Sequence, residues 1–211
     1  ATDGSVTYTD EIPYYPHLGD YIYVIGIYPS DGSVADGKVT YLPDGQTDLM
    51  YASELAGNRW DGFRMYGNSD PSKDKQLQFG HLLTQLQFAA IRTADELIGR
   101  KEFRILSIRI KNVPGQAIVK LGTVESEDER TGWSQPVVVQ PVLYKDSSDD
   151  AKNKLITSSD PEKPDQIGWV LLPPGAFYLA DIETTVGNFS DIRIRPDEGP
   201  FIRGLAHEVV L

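Results

Sequence analysis

The hydrophobic pattern changes period twice between Lys75 and Thr93, in the segment KQLQFGHLLTQLQFAAIRT. Leu77 and Phe79 alternate with polar neighbours, as on a strand with one buried face. Phe79, Leu82, Leu83 and Leu86 then fall at helical spacing, and Leu86, Phe88 and Ala90 return to period two. Two readings fit. One is a strand, a single helical turn over Gly80 to Thr84, and a second strand entering the core. The other is one amphipathic helix from Leu77 to Ile91. Periodicity alone does not separate them.

Elsewhere, short β-rich runs alternate with turn signals. Tyr21 to Pro29, YIYVIGIYP, is rich in β-branched and aromatic residues and free of charge, which predicts a strand. It is buried on both faces, or on one with its tyrosines on the other. Pro29-Ser30-Asp31-Gly32 reads as a turn, Lys38 to Leu42 as a strand and Pro43-Asp44-Gly45 as another turn. Thr47 to Ala52 is a short strand with Leu49 and Tyr51 on one face and Met50 on the other. Phe103 to Val113 alternates cleanly and is a strand. Pro114-Gly115 ends it and marks the expected domain boundary, giving domains over 1–113 and 114–211. Further strands follow over Gln116 to Val124, Ile167 to Leu172, Phe177 to Val186, Ile192 to Arg195 and Leu205 to Leu211. Val137 to Leu143 is extended, with Pro141 marking an edge or a bulge. Between them lie polar segments. Ala1 to Glu11 reads as an arm or weak edge strand. Asn58 to Lys75 is a surface loop carrying Trp60, Phe63, Met65 and Tyr66. Glu125 to Thr131 is a solvated acidic loop, and Lys145 to Lys163 an exposed excursion. Many short strands at turn-marked spacing predict an all-β sandwich, or two small ones, with only short helical turns.

Composition narrows the function classes. The 211 residues suffice for one large β domain or two of roughly 100 residues each. A net charge of −11 without a basic patch argues against nucleic acid as a partner. Cysteine is absent, which removes disulfides, thiol catalysis and cysteine zinc sites. No apolar run approaches the ~20 residues of a membrane helix. The first residue is Ala1, as expected of a mature or trimmed form of a longer precursor.

No stretch nominates a reaction. His17, His81 and His207 stand far apart, without a ligand-like neighbour, and His81 reads as a core or turn residue. Nucleophile elbows, His-Glu-x-x-His and phosphate-cradling glycine loops are all missing. The carboxylates lie in runs, Glu125 to Glu129 and Asp146 to Asp150, which read as solvated loops with at most incidental calcium binding. A glycosidase pair drawn from distant strands has no nominee. The expectation is a non-enzyme with no catalytic residue, cofactor or metal site. Trp60, Trp133 and Trp169 can stack on sugar rings or simply fill a sandwich. Trp60 and Tyr66 are the candidate surface aromatics, and they would mark a surface carbohydrate-binding module.

Three segments in order carry a resemblance. They are YIYVIGIYPSDG, LPDGQTDLMYAS (Leu42 to Ser53) and LQFGHLLTQLQF, followed by the strand at Ile105 to Val113. Together they resemble the fimbrillin family of Bacteroidales, the lipoprotein-derived pilins of type V fimbriae and their Mfa-like adhesin relatives. The likeness covers the first half closely and the last hundred residues loosely. It implies two tandem transthyretin-like β-sandwich domains, a cell-surface or fimbrial location and no catalysis. It also implies an outer-membrane lipid anchor in the precursor, polymerisation with other fimbrial subunits by donor-strand exchange, and adhesion to a host protein or glycan. It favours strand, turn, strand for the central stretch, with His81 structural. The lipobox is missing, and the chain is shorter than many relatives. The candidate donor strand is Gly204 to Leu211, with Leu205, His207, Val209 and Leu211 as its alternating knobs.

Overall fold

The structure is a computed structural model, describing residues 20–60, 62–65, 77–92, 102–140, 142–143 and 155–211. The expected N-terminal arm, Tyr66 and the Asp146–Asp150 run lie outside the described residues. So do most of the two polar segments after Met65 and Ile91.

The described chain is all-β. In order the strands are β1 (Ile22–Tyr28), β2 (Ser33–Ala35), β3 (Lys38–Tyr41), β4 (Met50–Asn58), β5 (Gly62–Met65), β6 (Phe79–His81) and β7 (Thr84–Ala90). They continue with β8 (Ile105–Lys120), β9 (Thr131–Val139), β10 (Val142–Leu143), β11 (Asp165–Leu172), β12 (Tyr178–Thr184), β13 (Asn188–Ile194) and β14 (Ala206–Val210). The one helical element among the described residues is a 3-10 turn at Glu127–Glu129.

The chain divides into two compact units, Ala1–Gly26 with Ala52–Gln78, and Ile27–Tyr51 with Phe79–Leu211. In the first, β4 pairs antiparallel with β5, from Leu55 opposite Met65 to Asn58 opposite Gly62. The sequence pattern gave only a polar loop here, because β5 offers no alternation. The Asn58 side chain accepts from the Trp60 amide at 2.9 Å and shapes the turn between the strands. Tyr21 and Tyr23, both exposed, stand with ring centroids 6.4 Å apart. The tyrosine face of β1 therefore meets solvent.

The second unit holds two main sheets, ordered β10-β11-β7-β14 and β13-β12-β8-β3-β2, with β9 also on β8. One buried cluster draws Leu86, Phe88, Ile167 and Val170 from the first sheet and Ile108, Ile110, Ala180 and Ile182 from the second. Two sheets sharing one apolar interior form a sandwich. β7 lies between β11 and β14, and Phe88, Ala89 and Ala90 are all buried.

The central stretch is strand, bend, strand. Gly80 and His81 belong to β6, and the chain turns at Leu82 and Leu83 without a helical turn. Both leucines are buried, whereas Phe79 is exposed.

Pro114-Gly115 does not end a strand. β8 runs unbroken from Ile105 to Lys120, so the expected boundary falls within it and Gln116 to Val124 is no separate strand. The register slips between Ile110 and Val113, where Asn112 takes a left-handed conformation (φ 56°). This bulge shifts the buried positions from 108 and 110 to 113, 115, 117 and 119. Pro114 then pairs with Pro136 of β9. Proline is tolerated in a sheet beside a bulge. The Lys145–Lys163 segment also departs from expectation, since Leu155 bridges to Arg104 and Ile156 is fully buried in the core.

Candidate functional site

The acidic loop after β8 is an anchor more than a solvated flap. Arg130 is 4% exposed. Its Nε and Nη2 donate to the Glu127 carboxylate at 2.8 and 2.6 Å, and its Nη1 donates to the carbonyls of Lys120 and Gly122 at 2.9 and 3.0 Å. The guanidinium carbon lies 3.8 Å from the centroid of the Tyr51 ring, within cation–π range. Arginine suits this place because its planar fork serves a carboxylate and two carbonyls at once. The hydrogen bond from Arg130 holds the Glu127 carboxyl below the usual glutamate range, with their mutual charge adding to it against a counteracting burial penalty. Glu127 is thus an anion at neutral pH, not a proton donor. Ser126 caps the 3-10 turn by accepting from the Asp128 amide.

Beside this turn opens a cleft of about 420 Å³, reached by Asp128, Thr131, Trp133, Pro174, Ile202 and Arg203, with buried Leu82 and Phe201 also on its wall. Its loops are pinned. Phe201 donates its amide to the Gly175 carbonyl at 2.8 Å and stacks on Tyr178 with ring centroids 4.8 Å apart. The Tyr178 hydroxyl donates to the Pro173 carbonyl at 2.5 Å, and burial pushes its pKa up. Arg203 Nη1 donates to the Glu127 carbonyl at 2.8 Å. The Thr131 hydroxyl is buried and has no hydrogen-bond partner among the described residues. The cleft thus sets a carboxylate, a guanidinium and a free hydroxyl beside an indole.

Of the tryptophans that the sequence offered for stacking on sugar rings, Trp133 lines this cleft, whereas Trp60 and Trp169 do not. Trp60 is 71% exposed, with Arg59 5.6 Å from its ring centroid, and Tyr66 lies outside the described residues. His81 is exposed and paired through Nδ1 with Asp48, so a carboxylate and not the backbone satisfies it. Among the described residues no group of three or more His, Asp or Glu is placed to hold a metal ion.

The candidate donor strand lies along β7 of its own chain. β14 pairs with β7 in parallel, from Ala206 opposite Gln85 to Val210 opposite Ala89. Val209 and Leu211 pack against the core, His207 meets Phe201 edge-on at 4.9 Å between centroids, and Leu205 is exposed.

A second exposed charge cluster decorates the sheet of β8, β12 and β13. Lys111 Nζ lies 2.8 Å from Asp181 and 2.7 Å from Asp191. Hydrogen bonding to Asp181 raises the lysine pKa and lowers that of the aspartate.

In fold the chain is similar to a protein of Bacteroides uniformis assigned provisionally to cell adhesion. Identity is 16% and the TM-score 0.53, over 94% of this chain and 70% of that one. A fimbrial protein from Bacteroides vulgatus aligns at 10% identity with a TM-score of 0.41, over 82% of this chain. This chain spans 62% of that protein's length, a likeness too weak to weigh. No curated protein sequence matches the chain. A sequence match to the Fimbrillin-like family runs over residues 1–179, most of the 211, and the chain belongs to that family.

Proposed function

We propose that this chain is a pilin-like subunit of a surface fimbrium that assembles with other fimbrial subunits and contributes to adhesion. Membership of the Fimbrillin-like family is the observation that carries the reading. On this reading the precursor reaches the outer membrane with a lipid anchor, and subunits join by strand exchange through Gly204 to Leu211. The placing of β14 supports the exchange step. It ends the order β10-β11-β7-β14, it is short, and its bonds to β7 are backbone bonds that any sheet edge can replace. Exchange then trades one ladder and one set of apolar contacts for equivalents in a neighbour.

The test is size-exclusion chromatography with light scattering, on this chain and on a form lacking Leu205 to Leu211, with circular dichroism confirming that both keep their strands. A concentration-dependent ladder that disappears on truncation supports assembly through the C-terminal strand. Monomers in both cases overturn self-assembly through this segment.

A further inference from the structure

We infer that the cleft beside the Glu127–Glu129 turn is a binding site for a neutral saccharide. The inference rests on the adhesion-subunit reading and names the ligand class for it. The volume of about 420 Å³ falls within the ~300–1,000 Å³ of small-molecule sites. Its lining matches both sides of a sugar ring. Trp133, Pro174 and Ile202 offer apolar surface to the C–H face. Asp128 offers an acceptor, Arg203 a donor, and Thr131 a hydroxyl that does both. The Thr131 hydroxyl is the most telling of these. A buried hydroxyl without a partner is destabilising, and a ligand hydroxyl that reached it would relieve that cost.

Charge selects the class further. Glu127 is neutralised by Arg130, which leaves one carboxylate, Asp128, and one guanidinium, Arg203, at the cleft. One charge of each sign in a single cleft favours a ligand that is polar but uncharged. The walls are preorganised by the Arg130 fork and by the Gly175–Phe201 bridge, so binding need not order loops first.

The probe is an immobilised panel of neutral plant, microbial and mucin-type oligosaccharides, screened with the full chain and followed by calorimetry on any oligosaccharide retained. The variants are Asp128→Asn, Thr131→Val and Trp133→Ala. Asp128 is exposed, so its substitution leaves folding intact even if loss of Trp133 does not. The expected result is retention of at least one oligosaccharide, with affinity reduced at least tenfold by Asp128→Asn and by Trp133→Ala, and severalfold by Thr131→Val. Trp60→Ala, at an exposed residue that is not among those lining the cleft, is expected to leave binding unchanged. Retention of no oligosaccharide overturns the inference, and so does retention that Asp128→Asn and Trp133→Ala leave intact. Failure here, with the light-scattering ladder present, removes the saccharide site and leaves the subunit reading standing. Binding in a chain that never assembles does the reverse.

Discussion

Replacing Arg130 with methionine tests the anchor beneath the cleft. The substitution keeps most of the apolar stem and removes the charge. Losing one partner of a buried ion pair costs about 3–5 kcal/mol when the other is left dry. Glu127 is 50% exposed and regains water, so that part falls toward the low end. The carbonyls of Lys120 and Gly122 lose a charged donor, at about 1–3 kcal/mol for each that stays dry. Tyr51 loses a cation contact of about 1–2 kcal/mol, partly replaced by a sulfur–aromatic contact. These contributions overlap, and the net expectation is about 3 kcal/mol. With a urea dependence of about 2.5–3 kcal/mol per molar, the unfolding midpoint falls by about 1 M. Equilibrium unfolding followed by tryptophan fluorescence reads this directly. Because the guanidinium is buried and two of its acceptors are neutral carbonyls, the shift should change little between low and high salt. A midpoint shift under about 0.3 M, or a more stable variant, would mean that desolvation of Arg130 cancels its contacts and that Arg130 is no anchor.

Acid sensitivity follows from the carboxyls held below their usual range. Glu127 is lowered by its hydrogen bond to Arg130 and Asp181 by Lys111. At Asp44 burial pushes upward, but amides of Thr47 and Gln46 outweigh it. Such groups bind fewer protons folded than unfolded. Their stabilisation is complete above the ordinary carboxyl range near pH 4 and is lost as pH falls through that range and the folded values beneath it. Urea midpoints should hold from pH 8 to about 5 and then fall. Glu127→Gln should flatten that fall, and an unchanged slope would exclude Glu127 as a contributor. Glycine positions give a paired test. At Gly45 (φ 80°) an added Cβ would lie 2.3 Å from Val139 Cγ1 and 3.0 Å from Val170 Cγ2, whereas at Gly37 (φ 69°) it meets nothing within 4 Å. Gly37→Ala should lose only about 1 kcal/mol to backbone strain, and Gly45→Ala about 2–5 kcal/mol. Melting temperatures would then drop by about 2–4 °C and about 5–15 °C respectively. Equal drops would refute the packing at Gly45.

Much of the fold was written locally. β1, β3, β11 and β12 are short runs of β-branched and aromatic residues bounded by Pro, Gly and Asp, and each lies where that pattern puts it. The Asp44 side chain closes the Pro43-Asp44-Gly45 turn by accepting from the amides of Gln46 and Thr47. The ambiguous stretch had a physical source. β6 pairs with β4 while β7 pairs with β11 and β14, so the chain changes sheets at Leu82 and Leu83. A buried corner needs two adjacent apolar residues. Placed between two alternating strands, they imitate the spacing of a helix without its hydrogen bonds. β8 misled in the opposite direction. Pro114-Gly115 looks like an end only when the bulge at Asn112 and the facing Pro136 are invisible, and both depend on a strand more than twenty residues away.

The cleft was not legible, for a related reason. Its residues come from three segments, around 127–133, 174–176 and 200–203, and no spacing along the chain ties them together. One local signal did exist. Glu127 and Arg130 stand three residues apart inside an otherwise acidic run, the spacing at which one turn brings two side chains together. Net charge hid it, because a run with four carboxylates and one arginine reads as solvated whatever the arginine does. What decides its role is Tyr51, a residue of the opposite half of the sequence, whose ring completes the pocket for the guanidinium. A lone cation within an acidic loop that follows a long strand is therefore better weighed as a tether than averaged into the charge around it. Here that weighing would have led from Arg130 to the turn it fixes, and from the turn to the cleft.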